Sequence, residues 1–90
     1  MVELEGRSGV RHTFSEAKTS FQSVENDEDG DLVIESVADV LESVATVYEV
    51  LALYAKALDV GAKEVALEAP SFDEKAMEIA AEYGVHLRER

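Results

Sequence analysis

The sequence lacks cysteine, contains a single proline and has few basic residues, with eight Lys and Arg among 90 residues. Without cysteine, disulfide bonds and thiolate metal sites are excluded. No apolar run is long enough to span a membrane, and the N-terminus lacks the basic-then-apolar pattern of a signal peptide. We therefore expect a cytoplasmic protein that makes no membrane contact. The length predicts one domain over residues 1–90.

The shortage of basic residues leaves a strongly acidic chain, in which 20 Asp and Glu residues give a net charge of −12. Because 47% of the residues are hydrophobic, we still expect a folded core. This composition is typical of proteins from salt-loving archaea, where salt screens the repulsion between carboxylates. The charge argues against nucleic-acid binding at ordinary salt. A chain this short buries only about 60% of its unfolded surface, so we expect association with a second copy to reinforce it.

A long apolar stretch predicts the central helix, over residues 39–60. Asp39 and Glu42 have the spacing of a capping box, and Gly61 stands where a left-handed residue commonly ends a helix. One apolar strip is predicted to face the core; it comprises Val40, Leu41, Val44, Val47, Tyr48, Leu51, Tyr54, Ala55 and Leu58. A second apolar strip lies on the other side of the helix. We predict that this second strip is a homodimer interface, formed by Val50, Leu53 and Ala57.

Alternation of apolar and polar residues predicts an N-terminal β-hairpin from residues 2–5 and 10–15. An odd loop length is favoured, because Val2 and Leu4 then share a face with His12 and Phe14. The remaining predicted strands cover residues 21–24, 32–37, 64–68 and 85–87. Ser71 is predicted to cap a second helix that ends at Gly84.

The element order predicts an α/β fold. A strand–helix–strand unit makes residues 64–68 parallel to residues 32–37, with a right-handed crossover. We expect a mixed sheet of about five strands, in which an antiparallel N-terminal hairpin precedes a β-α-β-α-β arrangement.

This order, over residues 2 to 87, resembles the core of the restriction-endonuclease-like (PD-(D/E)xK) nuclease superfamily. Three segments are similar to small archaeal domains of that type, namely residues 54–62, 65–70 and 76–85. Active members hold Mg²⁺ with acids on two strands, and an acid-x-Lys triplet supplies a lysine to the reaction. The matching triplet here is Glu35-Ser36-Val37, so valine occupies the lysine position. The resemblance then implies Glu35, with Asp31 or Glu3, as catalytic acids and Lys56 as a substitute lysine.

A second metal hypothesis concerns the acidic segment that starts at Glu25. Its spacing resembles the first part of an EF-hand calcium loop, with Asp27, Asp29 and Asp31 as ligands. The closing glutamate of that loop would stand at position 36, which is serine. An acidic hairpin turn built on Asp29-Gly30 explains the same residues.

Three function hypotheses remain open. The leading one is a non-catalytic, restriction-endonuclease-like interaction or assembly module that forms a homodimer and needs no cofactor. It is motivated by Val37 in the lysine position and by the second apolar strip of the central helix. The alternatives are a Mg²⁺-dependent nuclease with an atypical active site and a calcium-responsive module.

Overall fold

The computed structural model describes residues 1–22 and 31–90. The elements in chain order are β1 (Val2–Glu5), β2 (Arg11–Phe14), β3 (Glu16–Gln22), β4 (Asp31–Val40), α1 (Val47–Val60), β5 (Glu64–Ala69), α2 (Glu74–Tyr83) and β6 (Val85–Glu89). The predicted α/β class with a mixed sheet is confirmed. The predicted count of about five strands is wrong, because the described strands form a four-stranded sheet, β3-β4-β5-β6, and a separate two-stranded hairpin, β1-β2.

The hairpin has the predicted register. Val2 pairs with Phe14 and Glu5 pairs with Arg11, which leaves a loop of odd length, residues 6–10. Phe14 on the inner face is fully buried, and Leu4 packs against the core. The hairpin is therefore an antiparallel ribbon that contributes one large side chain to the core without joining the main sheet.

Strands β3 and β4 form an antiparallel pair that is interrupted by a bulge. The partner of Lys18 is Ser36 and the partner of Thr19 is Ile34, so Glu35 has no partner on β3. A bulge of this kind shifts the alternation of side chains by one position. As a result, Ile34 and Val37 both contribute to the core although they are three residues apart.

The central helix begins eight residues later than predicted. Residues 36–40 continue β4 and pair in parallel with β5. The capping box at Asp39 and Glu42 is therefore wrong, and the structure has one at Thr46 and Glu49 instead. The Thr46 amide donates to the Glu49 carboxylate at 3.0 Å, and the Thr46 hydroxyl donates to the same oxygen. This hydroxyl contact lowers the pKa of Glu49.

The apolar strip of α1 that was predicted to be an interface faces the core, and part of the predicted core strip is exposed. Val50, Leu53 and Ala57 are buried, with 0%, 1% and 1% of their surface exposed. They pack in the core with the inward residues of the sheet, Val37, Val65, Leu67 and Val85. The prediction that these three helix residues form a homodimer interface is wrong, because this chain already covers them.

The C-terminal half follows the predicted order. Strands β4, β5 and β6 are parallel neighbours. Gly61 and Gly84 end the two helices in the left-handed conformation, each with φ of 74°. The predicted cap at Ser71 is wrong, because the Asp73 carboxylate accepts from the Ala76 amide at 2.7 Å. Neither helix has the length and apolar character needed to cross a membrane, over the part of the chain that is described.

Candidate functional site

The residues of the expected nuclease triplet do not assemble as that chemistry requires. Val37 is 1% exposed, in the core beneath α1. Glu35 lies at the β-bulge, where its carboxylate accepts from the Ser20 hydroxyl at 2.9 Å and lies 3.9 Å from the Lys63 ammonium group. In a regular strand, residues two positions apart, such as 35 and 37, lie on one face. Here the bulge interrupts the alternation between them, so they do not share a face.

The structure describes the backbone of two other expected acids, Glu3 and Asp31. Glu3 lies in the hairpin and forms an exposed ion pair with Arg11, at 3.0 Å. Asp31 is the first residue of β4, and its backbone pairs with Gln22. Asp27 and Asp29 of the predicted calcium loop lie outside the described residues.

A magnesium ion held as in the nuclease superfamily needs carboxylates from two strands. The described neighbours of Glu35 are a serine hydroxyl and an ammonium group, so this donor set does not fit the ion. Among the side chains that the structure describes, no three of His, Asp or Glu come together in a metal-binding arrangement.

Lys56, the expected substitute lysine, connects three elements of the fold. Its ammonium group donates to the Asp39 carboxylate at 2.8 Å and to the Thr13 carbonyl at 2.7 Å. It also lies 4.7 Å from the centroid of the Phe14 ring, which is a cation–π distance. Asp39 in turn accepts from the Ser15 amide at 3.0 Å. Lys56 therefore ties α1 to the hairpin and to β4.

Asp59, near the end of α1, holds the hairpin loop through three contacts. Its carboxylate accepts from the Ser8 hydroxyl at 2.7 Å and from the Ser8 amide at 3.1 Å. The His12 Nε2 atom lies 2.6 Å from the same carboxylate. The Ser8 hydroxyl bond, and then the His12 contact, lower the pKa of Asp59. Ser8 and His12 both contact the Asp59 carboxylate rather than each other, so the cluster connects the hairpin to the helix.

Sequence reasoning did not identify Asp59. Its partners Ser8 and His12 lie 51 and 47 positions away in the chain, and no local pattern connects positions so distant. The only sequence signal was the glycine-rich loop itself. Gly6 is buried, and a side chain there would collide with Asp59.

The outward side of α1 carries an apolar surface, which we call the outer strip and define as Tyr48, Leu51, Ala55 and Leu58. Three of these side chains are exposed, at 78% for Tyr48, 39% for Leu51 and 62% for Leu58. Ala55 between them is also exposed. The spacing i, i+3, i+7, i+10 places all four on one helix face. They belong to the strip that was predicted to face the core.

The outer strip contains no charge, although the chain is strongly acidic. Three charged residues occur in α1, namely Glu49, Lys56 and Asp59. Each is held by a contact within the chain: Glu49 in the capping box, Lys56 by Asp39 and Thr13, and Asp59 by Ser8 and His12. The charges of the helix are therefore directed away from the outer strip.

A groove of about 600 Å³ lies on the sheet face opposite the helices. Small side chains on the central strands form its floor, namely Ser36, Ala38 and Ala66, and longer ones on the edge strands rise beside it. Glu16 and Arg88 approach to 3.8 Å between the two edges. Lys18 and Glu64 also line the groove. Its walls therefore carry both signs of charge and favour neither an anionic nor a cationic ligand.

No protein-family model, curated protein or solved structure matches the chain. The restriction-endonuclease-like resemblance therefore stays a prediction from the sequence.

Proposed function

We propose that this protein is a non-catalytic interaction module, built on a restriction-endonuclease-like plan, that binds another protein chain through the outer strip of α1. One observation carries the proposal: the outward face of α1 exposes large apolar side chains and no charge, in a chain of net charge −12. An exposed apolar surface rimmed by polar residues is the usual mark of a protein–protein contact.

The contacts that the polar side chains make within the chain support the non-catalytic part of the proposal. Lys56 is shared by Asp39, Thr13 and the Phe14 ring, as described above. His12 and Ser8 are both bound to Asp59, so neither is free to activate the other. These groups stabilise the fold by joining the hairpin to α1 and β4.

The composition of the outer strip fits the central part of a protein interface. Such regions are depleted in charged residues and enriched in aromatic ones. Tyr48 supplies a large apolar ring with a hydroxyl that stays accessible at the rim, and Leu51 and Leu58 supply aliphatic surface.

The proposal is tested in extracts of cells that produce the protein natively, at the salt concentration of their cytoplasm. We expect the purified wild-type chain, added to the extract at about 0.5 mM so that a weak complex is also populated, to fractionate at a size above that of the 9.8 kDa monomer. Leu51→Glu should fractionate as the monomer, because a buried charge without a partner opposes association. Leu32→Glu makes the same change at an apolar side chain of β4 that is 52% exposed and should keep the wild-type size. Monomeric wild-type protein, or equal behaviour of the two variants, contradicts the proposal.

A further inference from the structure

We infer that the chain bound by the outer strip is a second copy of this protein, with the two α1 helices antiparallel about a two-fold axis. This inference rests on the proposed function, since it names the partner of the same surface. Two observations support it: the order of side chains along the strip is self-complementary, and the strip has no charge.

The order of side chains suits an antiparallel pair. Measured along the helix axis, the midpoint of the outer strip lies between Leu51 and Ala55, at the height of residue 53. A two-fold axis there places Leu51 of one copy against Ala55 of the second, and Tyr48 against Leu58. The leucine then lies over the smallest side chain of the strip, as a knob over a hole. The antiparallel arrangement also sets the two helix dipoles in the favourable, opposed sense.

The charge distribution points to the same contact. Two copies that each carry a charge of −12 repel one another over most of their surface. Along the outer strip, two copies can meet without bringing the carboxylates of α1 together, because Glu49 and Asp59 are held on other sides of the helix. A partner recognised through its basic charge would be attracted to the acidic remainder of the surface rather than to an uncharged strip.

The size of the contact sets its strength. A helix of 14 residues is about 21 Å long, and four side chains on it bury less than the roughly 800 Å² per partner of a standard interface. We therefore expect a reversible dimer with a Kd on the order of 10–100 μM. Because salt screens the repulsion between the two acidic copies, the Kd should fall as KCl is raised from about 0.15 M to about 2 M. A contact made of ion pairs would respond in the opposite direction.

Sedimentation of the purified protein tests the inference. The wild-type chain should pass from monomer to dimer with rising concentration, and Leu51→Glu and Leu58→Glu should each raise the Kd at least about tenfold. Leu32→Glu should leave the Kd unchanged. Association lost in Leu32→Glu but kept in Leu51→Glu would place the contact near the exposed Phe21–Leu32 pair and overturn the inference.

Disulfide formation tests the orientation, and the absence of native cysteine makes the experiment clean. A mixture of Leu51→Cys and Ala55→Cys chains should form the mixed dimer faster than either variant forms its own, because only the mixed pair lies opposite within about 7 Å. Faster cross-linking of each variant with itself would indicate parallel helices and overturn the proposed geometry.

The two tests separate the inference from the function on which it rests. If the purified chain stays monomeric while the Leu51-dependent complex persists in extracts, the strip binds a different protein and the self-association is wrong. If both experiments give monomers, the proposed function fails as well.

Discussion

At the scale of single residues, the sequence shows which polar side chains are present but not which of them bind one another. Asp39 was predicted to cap a helix, yet in the structure it lies on β4 and accepts from Lys56. Asp59 was not singled out, yet it binds Ser8 and His12. Such pairs depend on which elements pack together, and one sequence carries no record of contacts between positions about 50 residues apart.

The lowered pKa of Asp59 predicts how its contribution to stability depends on pH. The pKa of this carboxyl lies below its ordinary value of 3.8 because Ser8, and then His12, donate to the charged form. The unfolded chain therefore takes up a proton before the folded one does, so the stabilisation is complete above pH 3.8 and is lost as pH falls through the folded pKa.

The measurement is the free energy of urea unfolding of the wild-type protein and of Asp59→Asn across the acid range. The wild-type protein should be the more stable at pH 7, and the difference should shrink below pH 3.8. Carbon NMR of the Asp59 carboxyl in Ser8→Ala should show the pKa rising toward the ordinary value. A difference that grows on acidification would contradict this assignment.

At the scale of elements, some signals are local and others are decided by packing. The hairpin register was predicted from alternation, the parallel order of β4, β5 and β6 from the order of strands and helices, and both helix ends from Gly61 and Gly84. These signals lie within single elements or in their order along the chain. The start of α1 could not be predicted in this way, because the sequence offers two capping boxes seven positions apart, at Asp39 and at Thr46. Pairing of residues 36–40 with β5 selects the second.

The rotation of α1 could not be read from the sequence for a related reason. Apolar residues occur on two opposite strips of this helix, so its periodicity does not say which strip faces inward. The structure buries the strip formed by Val50, Leu53 and Ala57. Tyr48 and Leu58 are left outside. The predicted interface therefore lies in the core, and part of the predicted core face is exposed.

The docking of the hairpin on α1 predicts a strong effect of a small substitution. A Cβ atom added to Gly6 would lie 1.9 Å from the Asp59 Oδ2 atom, so Gly6→Ala must displace either the loop or the carboxylate. We expect a loss of about 1–3 kcal/mol in the free energy of unfolding, typical of overpacking at a tight contact. Denaturant unfolding measures this loss, and hydrogen exchange of the hairpin amides should become faster.

Gly9 provides the matched control in the same loop. Its φ is 88°, so Gly9→Ala strains the backbone, but a Cβ atom there meets no other atom within 4 Å. We expect the free energy of unfolding to fall by about 1 kcal/mol, from the backbone strain alone. A loss for Gly9→Ala equal to or larger than that for Gly6→Ala would mean that the loop does not press against Asp59.

At the scale of the whole molecule, the fold places an apolar helix face at the surface of an acidic protein. The sheet and α2 cover the inner side of α1, and the contacts of the hairpin with Lys56 and Asp59 hold its C-terminal half. The outer strip is left exposed by this arrangement. A homodimer is therefore still proposed, but its interface lies on the side of the helix opposite to the predicted one.

The most direct test of this account is the reactivity of single cysteines placed on the two sides of α1. Ala55→Cys and Ala57→Cys make the same small change two positions apart, at an exposed site and at a site that is 1% exposed. In dilute solution, a thiol reagent should label Ala55→Cys at least about 100-fold faster than Ala57→Cys, which reacts only when the structure opens. Raising the protein concentration should slow the labelling of Ala55→Cys alone. Equal rates, or faster labelling of Ala57→Cys, would show that α1 presents a different face and would contradict the account.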